Sequence, residues 1–90
     1  MPRYANVRTT GLHRLLLRMG FVEIGRNHHR HYRHHGLGLR VRVSFGNKEV
    51  RPSVMGEIIT NQLRMTVDEF REAMNGDIPE RFTNPELWNN

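Results

Sequence analysis

Five of the chain's six histidines and three of its arginines stand in one run, Arg26-Asn27-His28-His29-Arg30-His31-Tyr32-Arg33-His34-His35. From Arg26 to Arg42 there is no carboxylate. Imidazole gives or takes a proton near neutral pH, and guanidinium pairs with oxyanions. Together they suit contact with a nucleic-acid backbone, metal binding, or proton transfer beside a phosphate. An apolar core has no use for such a run. The rest of the chain is expected to be a scaffold that holds it.

A chain of 90 residues makes one domain with a single modest core. With 37% apolar and 26% charged residues it should fold. The absence of cysteine excludes a disulfide framework and thiolate metal sites, and fits a cytoplasmic protein. The longest apolar run, Leu15-Leu16-Leu17, falls far short of a membrane span or a signal-peptide core. Net charge is +5 and unevenly spread. Residues 1–51 hold eleven of the fourteen basic side chains but only Glu23 and Glu49 among the carboxylates. That asymmetry points to a polyanionic partner.

The elements that must position the run follow from periodicity. Residues 1–8 read as a loose basic arm. Thr9 or Thr10 can cap a helix whose apolar stripe is Leu12, Leu15, Leu16 and Met19, with Gly20 as a left-handed stop. Phe21 to Ile24 reads as a strand with Val22 and Ile24 on one face. The His/Arg run is a second strand, and the alternating Leu39 to Phe45 a third. Pro52 and Ser53 begin a helix that buries Met55, Ile58, Ile59 and Leu63. Thr66-Val67-Asp68-Glu69 reads as a capping box for a short helix with Phe70, Ala73 and Met74 inward. The expected fold class is α+β in the order α-β-β-β-α. A three-stranded antiparallel sheet carries helices on one face, with a short C-terminal helix and a tail. Residues 1–76 form the domain and 77–90 the tail.

Alternation then divides the run. Tyr32 belongs on the helix side, together with His28, Arg30 and His34. Asn27, His29, His31 and Arg33 fall on the open side, where the third strand adds Arg40 and Arg42. A cationic face with imidazoles at its centre suits RNA phosphates. Cleavage of RNA through its own 2′-hydroxyl needs a base, an acid and positive charge for the transition state. Histidine and arginine supply all three. A metal is not expected: His29 and His31 share a face, but the arginines repel a divalent cation and no carboxylate completes the set. No phosphate loop and no nucleophilic triad is present. His13 reads as a surface residue.

The chain resembles the HicA-type toxins, the YcfA-like mRNA interferase family, in Gly20-Phe21, His29-Arg30-His31-Tyr32 with His34, Leu39 to Val43, Lys48-Glu49-Val50, Pro52, and Thr66-Val67-Asp68-Glu69-Phe70. The resemblance spans roughly residues 9–74. It implies a double-stranded-RNA-binding-like fold, endoribonuclease action on mRNA without a cofactor, and inhibition by a HicB-like antitoxin. It implies one catalytic histidine on the second strand, which falls on His29; by the reading of the residues the acid is His31 or His28, with His31 favoured because it shares the open face. Arg30, Arg33, Arg40, Arg42 and His28 would hold the RNA. The chain departs from the family pattern at Asn27 and His28, where glycine and serine are usual, and at Ser44-Phe45. Its second helix runs about one residue out of register, with Arg64 where glycine is common. Two other functions fit the residues: an RNA-binding module without catalysis, and a basic domain that docks an acidic protein.

Overall fold

The apolar stripe of the first helix does what its spacing predicts. Leu12, Leu15, Leu16 and Met19 are all fully buried along α1 (Thr9–Arg18) and its C-cap. Gly20, at φ +93°, turns the chain out of the helix. The structure, a computed structural model, describes residues 7–26, 29–44, 46 and 48–88. Neither Thr9 nor Thr10 caps α1; Arg8 holds the N-cap position without a side-chain bond. The helix is fastened instead by the Thr9 amide, which donates to the Lys48 carbonyl at 2.8 Å. That bond continues a small antiparallel pair of β1 (Val7–Arg8) and β5 (Glu49–Val50). Residues 7 and 8, read from sequence as part of a loose arm, are therefore strand.

The main sheet is antiparallel in the order β2 (Val22–Arg26), β3 (His29–His34), β4 (Leu39–Ser44). β4 alternates buried and exposed along its whole length. Tyr32, Val41 and Val43 join Leu16, Met55 and Ile59 in one buried cluster, so the helices cover one face of this α+β domain. β2 presents Val22 and Ile24, the pair expected to share a face, to solvent. Val22 and Ile24 are 45% and 52% exposed. Pairing of Val22 with Arg33 sends Val22 to the open face, and a bulge between Glu23 and Gly25 leaves Ile24 without a cross-strand partner.

Pro52 starts α2 (Pro52–Glu57), as its fixed φ favours. The helix then widens into a π turn over Ile58–Gln62. From this turn Gln62 Oε1 accepts the Arg42 amide at 2.9 Å, which closes part of the outer edge of β4. Arg64 follows at φ 57°, a left-handed conformation that side chains resist. The predicted capping box is present: Glu69 N–H donates to Thr66 Oγ1 and Thr66 N–H to Glu69 Oε1. In α3 (Val67–Met74), Phe70 and Ala73 are buried, whereas Met74, expected inward, is 37% exposed. Residues 77–88 pack on the body. Phe82 is fully buried, Trp88 Nε1 donates to the Arg81 carbonyl at 2.7 Å, and Arg81 grips Glu69 through two bonds of 2.9 and 3.0 Å.

Two stability predictions follow from this geometry. Arg81, then the Thr66 amide, hold the Glu69 carboxyl below its ordinary value of 4.5. A carboxyl lowered in the folded state adds stability above its unfolded pKa, and that stability is lost as pH falls through the folded value. In urea titrations Glu69→Gln should lower stability near pH 7 by ~0.5–1 kcal/mol, a small figure because the pair is partly solvated. The difference from wild type should shrink as the pH drops below the carboxylate range. Arg64→Gly should raise stability by ~0.5–1 kcal/mol, relief of left-handed strain outweighing the entropy that glycine adds to the unfolded chain.

Candidate functional site

β3 is the middle strand, so both its edges are bonded and only its faces are open to side-chain choice. Tyr32 and His34 turn inward, each 1% exposed. His29, His31 and Arg33 turn outward and are half-buried. Register supplies their neighbours: His29 stands opposite Ser44, His31 opposite Arg42, and Arg33 opposite Arg40. The open face thus gathers His29, His31, Arg33, Arg40 and Arg42, the set that alternation predicts.

Among the described residues, the three strands bring no carboxylate to that face. Glu23 is the one acid in β2, β3 and β4, and its pairing with Tyr32 puts it on the helix side. There Arg26, 3.3 Å away, holds its carboxyl below the ordinary value, chiefly by hydrogen bonding. The open face is therefore cationic without compensation. Arginines directly opposite each other weaken a sheet, and Arg33–Arg40 is such a pair. Arg33 Nε is also buried with no hydrogen-bond acceptor. A charged donor left this way is costly, and an anion drawn to Arg33 and Arg40 would offset the charge they crowd together.

The His29 and His31 rings lie 6.3 Å apart between centroids, tilted 69° to each other. That is too far for a direct bond. It leaves room for a group that each ring reaches from its own side at a hydrogen-bond distance of ~2.6–3.2 Å. In front of His31 the face dips into a concavity of about 380 Å³, lined also by Ile24, Gly25, Arg40, Arg42 and Gln62. Among the described residues no three His, Asp or Glu side chains gather as a metal site requires.

Other predicted residues lie elsewhere. Arg30 stands opposite the buried Val43, so the same alternation that gathers the other arginines keeps it off their face. It bonds the Tyr32 hydroxyl, whose pKa is raised chiefly by burial. His28 lies outside the described residues. His13 is not a plain surface residue: its Nδ1 sits 2.6 Å from the Tyr32 hydroxyl. A buried tyrosine needs a partner for its hydroxyl, and that need was the available signal. His34 is structural. Leu37 N–H donates to its Nδ1 at 3.0 Å, so the other nitrogen, Nε2, carries the proton to the Phe82 carbonyl at 2.7 Å. Phe21 and Trp88 meet the ring edge-on, both with centroids 5.2 Å away. Sequence reasoning missed Gly25 and Gln62. Nothing in the sequence ties a polar residue of the second helix to a strand edge twenty positions earlier.

Comparison with family models, with curated proteins and with solved structures finds no match.

The two roles given to histidine here separate by experiment. His34→Ala removes both ring bonds and leaves the Phe82 carbonyl buried without its donor. It should cost ~2–4 kcal/mol in chemical denaturation. His29→Ala, on the solvent side, should change stability by less than ~0.5 kcal/mol.

Proposed function

We propose that the chain is a small RNA-cleaving domain whose open sheet face binds the phosphate backbone. The observation that carries this reading is the uncompensated cationic face, above all Arg33 opposite Arg40 with its buried Nε lacking an acceptor. Such an arrangement is a liability unless an anion completes it. The paired imidazoles beside it turn binding toward chemistry.

In the proposed reaction His29 takes the proton of a ribose 2′-hydroxyl. The freed oxygen attacks the adjacent phosphorus. The bond from phosphorus to the 5′-oxygen breaks, and His31 gives that oxygen a proton. The products are a 2′,3′-cyclic phosphate and a 5′-hydroxyl end. Arg33, Arg40 and Arg42 offset the charge that builds on the phosphoryl oxygens. No electron transfer is needed, and both proton transfers lie in the range of imidazole.

The sequence resemblance supports a narrower version. By it the chain is a HicA-type toxin, an mRNA interferase of the cytoplasm, held inactive by a HicB-like antitoxin. The succession of α1, the three-stranded sheet β2–β4 and α2, with the short β5 inserted before α2, is compatible with the double-stranded-RNA-binding-like fold of that family. The position of His29 on the open face fits its catalytic role there.

Cleavage of a labelled mRNA fragment in the presence of chelator tests the reading. Wild type should cleave, and His29→Ala should be slower by ~100-fold or more, the usual contribution of a positioned base. Equal rates would sink the role of His29. Arg33→Ala and Arg40→Ala should each weaken binding and reduce the dependence of log affinity on log salt by ~0.7–0.9. Salt-sensitive binding without any cleavage would leave an RNA-binding module. Negligible RNA affinity would favour a protein-docking domain.

A further inference from the structure

The concavity before His31 has features that phosphate binding does not use. Its volume, about 380 Å³, is that of a small-ligand site. One side is apolar, formed by Ile24 where the bulge leaves it 52% exposed. Gly25, opposite His31 in the pairing, contributes no side chain and leaves space. Arg40 and Arg42, which carry planar guanidinium groups, also line it. A phosphate gains nothing from an apolar wall. A flat heteroaromatic ring gains from the wall and from the guanidinium planes alike.

Gln62 defines the polar requirement. A backbone amide only donates, so the oxygen of Gln62 must be the atom that meets Arg42 N–H at 2.9 Å. Its remaining polar group is the –NH₂, a donor. The side-chain groups of Gln62, Arg40 and Arg42 thus offer the concavity donors only, and His31, in its proposed role as the acid, adds another. The matching base edge presents adjacent acceptors. Guanine has them at N7 and O6, where adenine places an amino group that would face other donors. The purine also covers more of the apolar wall than a pyrimidine does.

We propose that this concavity is a guanine-binding subsite, with Gln62 as its specificity-determining donor and Gly25 as the residue that keeps it open. The inference rests on the RNA reading of the same face. Because His31 lines the concavity, the guanine lies next to the phosphate that is cut.

The test uses the full chain carrying His29→Ala, to hold RNA uncut, and fluorescent oligouridine heptamers with one central guanine, adenine, cytosine or 7-deazaguanine. The guanine RNA should bind about tenfold tighter than the adenine RNA, within the range of a good bidentate contact. The 7-deazaguanine RNA, which lacks the N7 acceptor, should lose that advantage. Gly25→Val should erase the guanine-to-adenine ratio by filling the space; a Cβ at Gly25 meets nothing within 4 Å, so the fold tolerates it. Gln62→Glu keeps an acceptor for the Arg42 amide but replaces the donor, and should also erase the ratio. The proposal is overturned if the RNAs bind with a ratio near one, if cytosine is preferred, or if the ratio survives both substitutions. Failure to bind any of the RNAs overturns the RNA reading along with it.

Discussion

The register of β3 is the constraint on which the rest of the structure depends. Its side chains alternate between a dry face and a wet one, so a slip of one position would exchange them all. Tyr32 and His34 would move to solvent, and His31 and Arg33 would enter the core. An unpaired buried guanidinium is among the most expensive groups a small domain can hold. The register is fixed by polar bonds as well as by packing. Tyr32 meets His13 of α1 at 2.6 Å, and His34 is held through both ring nitrogens. Two successive inward positions each have a directional partner that a slipped strand could not satisfy. The outward cations are therefore held in place by contacts on the opposite face.

Those contacts explain why the C-terminal segment belongs to the fold. His34 reaches Phe82 across the end of the sheet, and Phe82 is fully buried. Gly20 makes the approach possible, since a Cβ there would lie 3.0 Å from the Phe82 carbonyl oxygen and 3.1 Å from His34 Nε2. Gly36 does the same for Trp88, whose ring occupies the space a side chain at that turn would fill. Arg81 then ties the segment to α3 through Glu69. A chain of this size has little interior to spare. Here the last turns supply an aromatic plug under the end of the strand that carries the candidate site.

Much of this was legible in the sequence where one local rule acted alone. The stripe from Leu12 to Met19, the Thr66–Glu69 capping box and the division of β3 into two faces each follow from a single period or motif. The failures share a cause. The bulge between Glu23 and Gly25 is a tertiary adjustment that alternation does not record. Thr9 and Thr10 look like caps, yet pairing of the first strand with the last starts the helix one residue earlier, with the Thr9 amide on the distant Lys48 carbonyl. His13 gains its meaning from a tyrosine on another element. The candidate site was recovered for its histidines and outward arginines because one strand and its neighbour sufficed. Gly25 and Gln62 escaped because they enter from the bulged strand and from a helix.

Gln62 shows how a local irregularity serves two ends. A helical residue turns by about 100° from the one before, so an extra residue in a turn redirects everything after it. The π turn over Ile58–Gln62 accommodates such a residue. The displaced chain must still leave the helix, and it does so through Arg64 at φ 57°, where a glycine would be unstrained. The strain at Arg64 and the widened turn thus accompany one result, a glutamine aimed at the edge of β4. That contact closes a strand edge and, in the same stroke, fixes which end of the amide faces the concavity. Edge protection and the chemistry offered to a ligand are then set by one hydrogen bond, so neither can change without the other.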